Sequence, residues 1–204
     1  KPKWTLRDCT VGDVTTGCTY TAWSVNSTQR FVRCEILNGP ALSVVRAEGT
    51  AGDITLESSV VKGRVMQYAG AKVRMLNCEH AKYASAGFLL AADATVLPEL
   101  KNVLYYDGSG VLFSNLSALD VSGVIAGCVY DRVPTRMPAS PLPVAAILDR
   151  GDNWTPFSWS ALRGAGVSTG VKWGFDGRPM RKIPSIGAIE ADRSNPPRAP
   201  GMRA

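Results

Sequence analysis

A single histidine in 204 residues, no Cys-x-x-Cys pair and no grouping of cysteine with histidine exclude the ordinary His-rich and zinc-ribbon metal sites. No metal and no cofactor is expected. No apolar run approaches the about 20 residues that a membrane-spanning helix needs, and no long stretch keeps the helical apolar period of about 3.6 residues. The net charge is +6, yet lysine and arginine form no closely spaced run. With no recognition motif beside it, that charge does not point to nucleic acid. Much of it falls near the C-terminus, at Arg178, Arg181, Lys182, Arg193, Arg198 and Arg203, where a solvated basic tail explains it.

What the chain has is valine, serine, threonine and glycine, with 45% hydrophobic residues overall. That composition suits a β protein, and the length can enclose a sizeable core in one domain, with or without a cap.

The decisive feature is a repeat. Aligned on a small residue, copies of one template fall at Cys9, Cys34, Ser59, Cys78, Val103 and Cys128, in steps of 25, 25, 19, 25 and 25 residues. Three residues earlier stand Leu6, Phe31, Leu56, Met75, Leu100 and Ile125, all large and apolar. One residue earlier stand Asp8, Arg33, Ser58, Asn77, Asn102 and Gly127, mostly residue types that accept a bend in the left-handed region. Two residues later come Val11, Ile36, Val61, His80, Tyr105 and Tyr130. Alternation after the bend places these and the ladder residues inside, with Thr10, Glu35 and Glu79 outside. A rung of this kind cannot bury its own face, so like stacks on like. The expected fold is an all-β parallel β-helix of about six rungs, right-handed, with an irregular β-sandwich as the competing architecture.

The ladder also accounts for four of the five cysteines. In an inward slot a thiol packs as a small hydrophobe. Cys9 and Cys34 fall on adjacent rungs within disulfide reach by Cα distance, but parallel side chains meet poorly. Free thiols are expected.

Residues 1–149 are read as the rungs, 150–192 as a C-terminal cap and 193–204 as an extended tail rich in proline and arginine. Second strands within rungs are expected at Thr19–Trp23, Leu42–Arg46, Val65–Tyr68, Phe88–Ala92 and Val111–Leu116. The 19-residue step implies one shortened turn. Trp154, Trp159 and Trp173 suit the sealing of the column's end. Because the first rung begins at Trp4 with nothing above it, the chain is expected to be the C-terminal piece, or a processed product, of a longer protein.

These apolar-x-polar-Cys-x-apolar rungs resemble the right-handed parallel β-helix, or pectate-lyase-like, superfamily. Phe175-Asp176-Gly177-Arg178-Pro179 followed by Ser185-Ile186-Gly187-Ala188-Ile189-Glu190 is similar to the closing segment of many of its members. The likeness covers about residues 4–192. It implies a fold shared by polysaccharide lyases, glycoside hydrolases, adhesins and phage tailspikes, and, through the tailspikes, a homotrimer. It does not by itself name an activity.

Catalytic groups are sparse. Glycoside hydrolysis needs two carboxylates roughly 5–10 Å apart. Glu57 and Glu99 are not on adjacent rungs of one column, and Asp8 faces Arg33. Asp107, Asp120 and Asp131 lie near turns and cluster only if those turns cooperate; solvated turn carboxylates are the expectation. Arg132-Val133-Pro134-Thr135-Arg136 resembles the Arg-x-Pro-x-x-Arg motif of pectate lyases, but its second arginine comes one residue early, position 137 being Met. No aspartate cluster for calcium accompanies it. His80 is read as a core histidine above Tyr105. The expected function is a structural or adhesive module of a tailspike, fibre or secreted surface protein, located outside the cell or on a virion. It would present a glycan-binding face made of Arg30, Arg74, Lys101, Trp154 and Trp159. The alternative is the scaffold portion of a polysaccharide lyase or glycoside hydrolase with its catalytic residues upstream. Expected partners are a bacterial surface polysaccharide, a second and third copy joined through outward Val60, Leu104 and Val129, and virion or surface proteins docking on the tail.

Overall fold

The computed structural model describes residues 2–12, 22–37, 43–81, 86–106, 111–121, 124–130 and 160–190. They contain strands and turns and no helix. The strands form three parallel sheets wound as a β-solenoid. The first sheet stacks β1 (Lys3–Arg7), β4 (Thr28–Val32), β7 (Asp53–Glu57), β10 (Lys72–Leu76), β13 (Glu99–Lys101) and β16 (Ile125–Ala126). The second stacks β2 (Thr10–Val11), β5 (Glu35–Leu37), β8 (Val60–Lys62), β11 (Glu79–Ala81), β14 (Leu104–Tyr106) and β17 (Val129–Tyr130). The third holds five strands, β3 (Ala22–Val25), β6 (Ser43–Glu48), β9 (Arg64–Gln67), β12 (Ala86–Leu90) and β15 (Val111–Asn115). The last rung therefore has no third strand among the described residues, which hold slightly fewer than six full rungs.

One backbone device sets the corner between the first two sheets. Asp8, Arg33, Ser58, Asn77, Asn102 and Gly127 have φ of 52°, 55°, 45°, 53°, 55° and 65°. Every rung thus turns on a single left-handed residue immediately before the ladder position. Gly and Asn accept that conformation readily, whereas Arg33 and Ser58 sustain a cost on the order of 1 kcal/mol each. The short 19-residue step is absorbed between β8 and β9, where Gly63 alone makes the turn with φ 131°. Such an angle suits a residue without a Cβ.

The interior is a set of axial columns. Phe31, Leu56, Met75 and Leu100 are fully buried in the first sheet, as are Ile36, Val61, His80 and Tyr105 in the second. Phe88 and Phe113 stack in the third, with centroids 5.2 Å apart and rings 3° from parallel. The ladder residues Cys34, Ser59, Cys78, Val103 and Cys128 are fully buried, and Cys9 partly so.

The inward slot is more than small. The bend leaves main-chain carbonyls facing it, and the ladder side chains donate to them. Cys34 Sγ lies 3.6 Å from the Leu6 carbonyl oxygen and 3.5 Å from that of Val32. Cys78 repeats the pattern with Leu56 at 3.3 Å and Leu76 at 3.5 Å, and Cys128 with Leu100 at 3.5 Å. Ser59 Oγ donates to the Glu57 carbonyl at 2.8 Å. Thiol and hydroxyl here do the same work, because a buried carbonyl is costly without a donor.

The outward positions of the second sheet overturn one expectation. Val60, Leu104 and Val129 are not exposed; they are 5%, 1% and 0% accessible. The chain itself covers them. Leu104 and Val129 pack with Leu162 and Ile186, and Val60 packs with Ala188, Ile189 and Phe175. While the cover is in place, the side chains of Val60, Leu104 and Val129 are not accessible.

The cover is a strap, residues 160–190, laid along the flank of the column. The Val167 carbonyl meets Asn102, the Thr169 hydroxyl meets Asn77 and the Trp173 carbonyl meets Ser58, so the strap descends one rung at a time past the bends. It then reverses and brings Gly187 to the Asn102 carbonyl at 3.1 Å. The reversal is closed by an isolated bridge between Trp173 and Pro179, by Gly177 at φ 77° and by the Asp176–Arg178 ion pair. Trp173, expected to seal the column's end, is 48% exposed at this turn.

Candidate glycan-binding face

Arg30, Arg74 and Lys101, chosen from sequence, lie on the same outer face of the first sheet, on β4, β10 and β13. The register places Thr5, Arg30, Thr55, Arg74 and Glu99 in one outward column, with Arg7, Val32, Glu57, Leu76 and Lys101 beside it. Lys3, Thr28, Asp53 and Lys72 form a third. This face therefore carries six cations (Lys3, Arg7, Arg30, Lys72, Arg74 and Lys101) against three carboxylates (Asp53, Glu57 and Glu99).

The cations are not isolated charges. Arg30 grips Glu57 through two hydrogen bonds of 2.8 and 2.7 Å. Arg74 bridges Asp53 at 2.5 Å and Glu99 at 3.5 Å, and Lys101 meets Glu99 at 2.6 Å. The hydrogen bond from Lys101 holds the Glu99 carboxyl below the ordinary carboxylate range, against a smaller opposing effect of burial. Arg30 is raised by its hydrogen bond to Glu57. The arginines are thus oriented by neighbours on adjacent rungs and the lysine by Glu99 of its own strand, yet 45%, 30% and 36% of their side-chain surfaces stay accessible. Exposed pairs of this sort add little stability. Their effect is to hold guanidinium groups in fixed positions with donors to spare, since each guanidinium has five N–H bonds.

Trp154 and Trp159 lie outside the described residues, as do Cys18, the Arg132–Arg136 motif, and residues 191–204 of the tail. An aromatic group that the repeat alignment passed over is present instead. Trp23, 53% exposed on the outer face of β3, stands in register with Arg46. The Arg46 guanidinium sits 5.8 Å from the Trp23 ring centre and 4.7 Å from that of Tyr68. Glu48 accepts from Trp23 Nε1 at 3.0 Å and from Arg46 Nε at 2.6 Å. The signal for it was the alternation of Trp23 and Arg46 with buried neighbours on the third sheet, Tyr68 following just after β9. That signal is legible only once the rungs are in register.

His80 is a core histidine. It is fully buried, its Nε2 donates to the Gly63 carbonyl at 2.6 Å, and its ring lies tilted 5.2 Å from that of Tyr105. Burial pushes the imidazole down to about 4, outweighing the opposing hydrogen bond, so the ring is neutral at physiological pH. Asp8 meets Arg33, two bonds of 2.5 and 2.6 Å, and is held below the usual carboxylate range by that contact. Among the described residues no group of three or more His, Cys, Asp or Glu side chains could hold a metal ion.

No family model, curated protein or solved structure matches the chain.

Proposed function

We propose that this chain is a structural and adhesive solenoid module of a surface or virion protein, and that the outer face of its first sheet engages an acidic polysaccharide. The observation that carries the reading is the contrast between two outer faces. On the second sheet the outward apolar residues Val60, Leu104 and Val129 are sealed by the chain's own strap. The outer face of the first sheet has three more cations than carboxylates, and its Arg30, Arg74 and Lys101 side chains keep 45%, 30% and 36% of their surface accessible. Arg30 and Arg74 stand two rungs, about 9.6 Å, apart in one column, held by Glu57, Asp53 and Glu99. Fixed cations spaced along the column suit a linear polyanion, which meets them without the protein having to reorganise. Arg30 and Arg74 supply planar groups that match a uronate carboxylate in bidentate fashion, and Thr55 supplies a hydroxyl on the rung between them.

The test is incubation of the protein with acidic and neutral bacterial polysaccharides, following bound fraction, polymer length and unsaturated uronate absorbance. Retention on acidic polymers with no change in length supports the reading. Cleavage would replace it with a depolymerase, the absorbance separating lyase from hydrolase, and equal retention on neutral polymers would remove the role of charge.

A further inference from the structure

Cys9 and Cys34 occupy the inward slot of the first two rungs. The register pairs Thr10 with Glu35, and the Glu35 amide donates to the Cys9 carbonyl at 3.0 Å, so the two cysteines are direct neighbours on adjacent parallel strands. Strands at that spacing hold paired Cα atoms about 4.8 Å apart, inside the range of about 4.4–6.8 Å that disulfides span. Side chains leaving two strands in parallel were expected to meet poorly. Here they meet: the two Sγ atoms are 3.5 Å apart.

The rest of the ladder isolates this pair. Above Cys34 the slot holds Ser59; Cys78 lies between Ser59 and Val103, and Cys128 follows Val103. Any other two ladder thiols are two or more rungs apart, roughly 9.6 Å or more, beyond disulfide reach. From this placement we propose that Cys9 and Cys34 are a site of covalent modification, closing under mild oxidation into an inter-rung disulfide that staples the first rung to the second.

The chemistry balances with a small-molecule disulfide such as oxidised glutathione. Cys9, the partly buried member, attacks as thiolate and releases one glutathione thiolate, leaving a mixed disulfide. The Cys34 sulfur loses its proton as it attacks the Cys9 sulfur and expels the second glutathione. Two protein thiols are oxidised and one glutathione disulfide is reduced to two thiols. Burial pushes the Cys34 thiol up to about 11, which makes it a poor first nucleophile; its 3.5 Å approach to Cys9 Sγ is what favours the second, intramolecular step. The bond replaces the weak Cys34 contacts to the Leu6 and Val32 carbonyls.

The experiment uses the whole chain in a glutathione redox buffer at neutral pH, with non-reducing peptide mapping and thiol titration. Cys18 shares the tryptic fragment of Cys9, so Cys18→Ser is mapped in parallel. In the wild type, titratable thiols in denaturant should fall from five to three, with a peptide pair joining Cys9 and Cys34 in both proteins and with Cys78 and Cys128 free. Cys34→Ser folds on this account, because Ser59 already fills the same slot with a hydroxyl bonded to a carbonyl. It should lose the linked pair and accumulate a glutathione adduct on Cys9. Five thiols remaining under conditions that oxidise a control dithiol would overturn the proposal. So would a link that runs through Cys18, or a linked pair that persists in Cys34→Ser.

Discussion

Asn102 and Asn77 stand one rung apart at left-handed bends, fully buried, with the Asn102 Nδ2 atom donating to Asn77 Oδ1 at 2.9 Å. The same Asn102 amide clamps the strap. Its Nδ2 donates to the Val167 carbonyl, and its Oδ1 accepts from the Val167 amide, both at 2.7 Å. A residue selected for its turn conformation thus also carries the contact that fixes the strap to the column.

Asn102→Gly separates the two roles, since glycine keeps the bend and deletes the amide; Gly127 already occupies the equivalent position one rung on. Three hydrogen bonds at about 0.5–1.5 kcal/mol each predict a loss of about 2–4 kcal/mol. Hydrogen exchange at Val167 should rise more than exchange at Leu56 or Val73. Uniform loosening of the column would contradict the clamp.

Leu104 was expected to face a partner and instead lies under Leu162 and Ile186. Leu104→Ala should cost about 2–4 kcal/mol by leaving a cavity, and protease cutting within 160–190 should precede cutting of the rungs. Leu104→Lys should strip the strap further, because the ammonium group must reach water. A Lys variant that changes oligomeric size and leaves the strap protected would restore the docking face.

His80 gives the fold a pH dependence with a definite sign. Its imidazole sits near 4 when folded and near about 6.5 when unfolded. Between those values the unfolded chain binds the extra proton, so this contribution destabilises the fold progressively as pH falls from about 6.5 toward 4. Above that window the ring is neutral in both states and has no effect. The full penalty is on the order of 3 kcal/mol. In urea melts, His80→Gln should flatten the slope between about pH 6.5 and 5; an unchanged slope would place the titration elsewhere.

The repeat made the column readable because one residue in each rung answers to a backbone angle and its neighbours to burial. Six bends at Asp8, Arg33, Ser58, Asn77, Asn102 and Gly127 follow from that local rule, as does the inward run from Val11 to Tyr130. The strap did not follow from it. Val60, Leu104 and Val129 look like an exposed apolar stripe in any one-rung reading, and what covers them comes from about 30–130 residues further along the chain, with no period to announce it. The ion pairs of Arg30, Arg74 and Lys101 escaped for a related reason. The acids of Arg30 and Arg74 sit on neighbouring rungs in the same or the adjacent column, so their pairing appears only when exact register is known, whereas Lys101 pairs with Glu99 on its own strand. Cys9 and Cys34 were placed correctly as neighbours, but whether their sulfurs touch depends on side-chain rotamers that spacing does not specify.

The most direct test of the adhesive reading is salt-dependent binding to polygalacturonate, compared between the wild type and the triple variant Arg30→Gln, Arg74→Gln, Lys101→Gln. These changes remove the cation excess of the first sheet's outer face without touching the core, and circular dichroism checks that the column persists. The account predicts that the wild type binds at low salt and weakens steadily as salt screens the contact, while the variant loses at least about tenfold in affinity, or about 1.4 kcal/mol. A folded variant that binds as tightly as the wild type would contradict it.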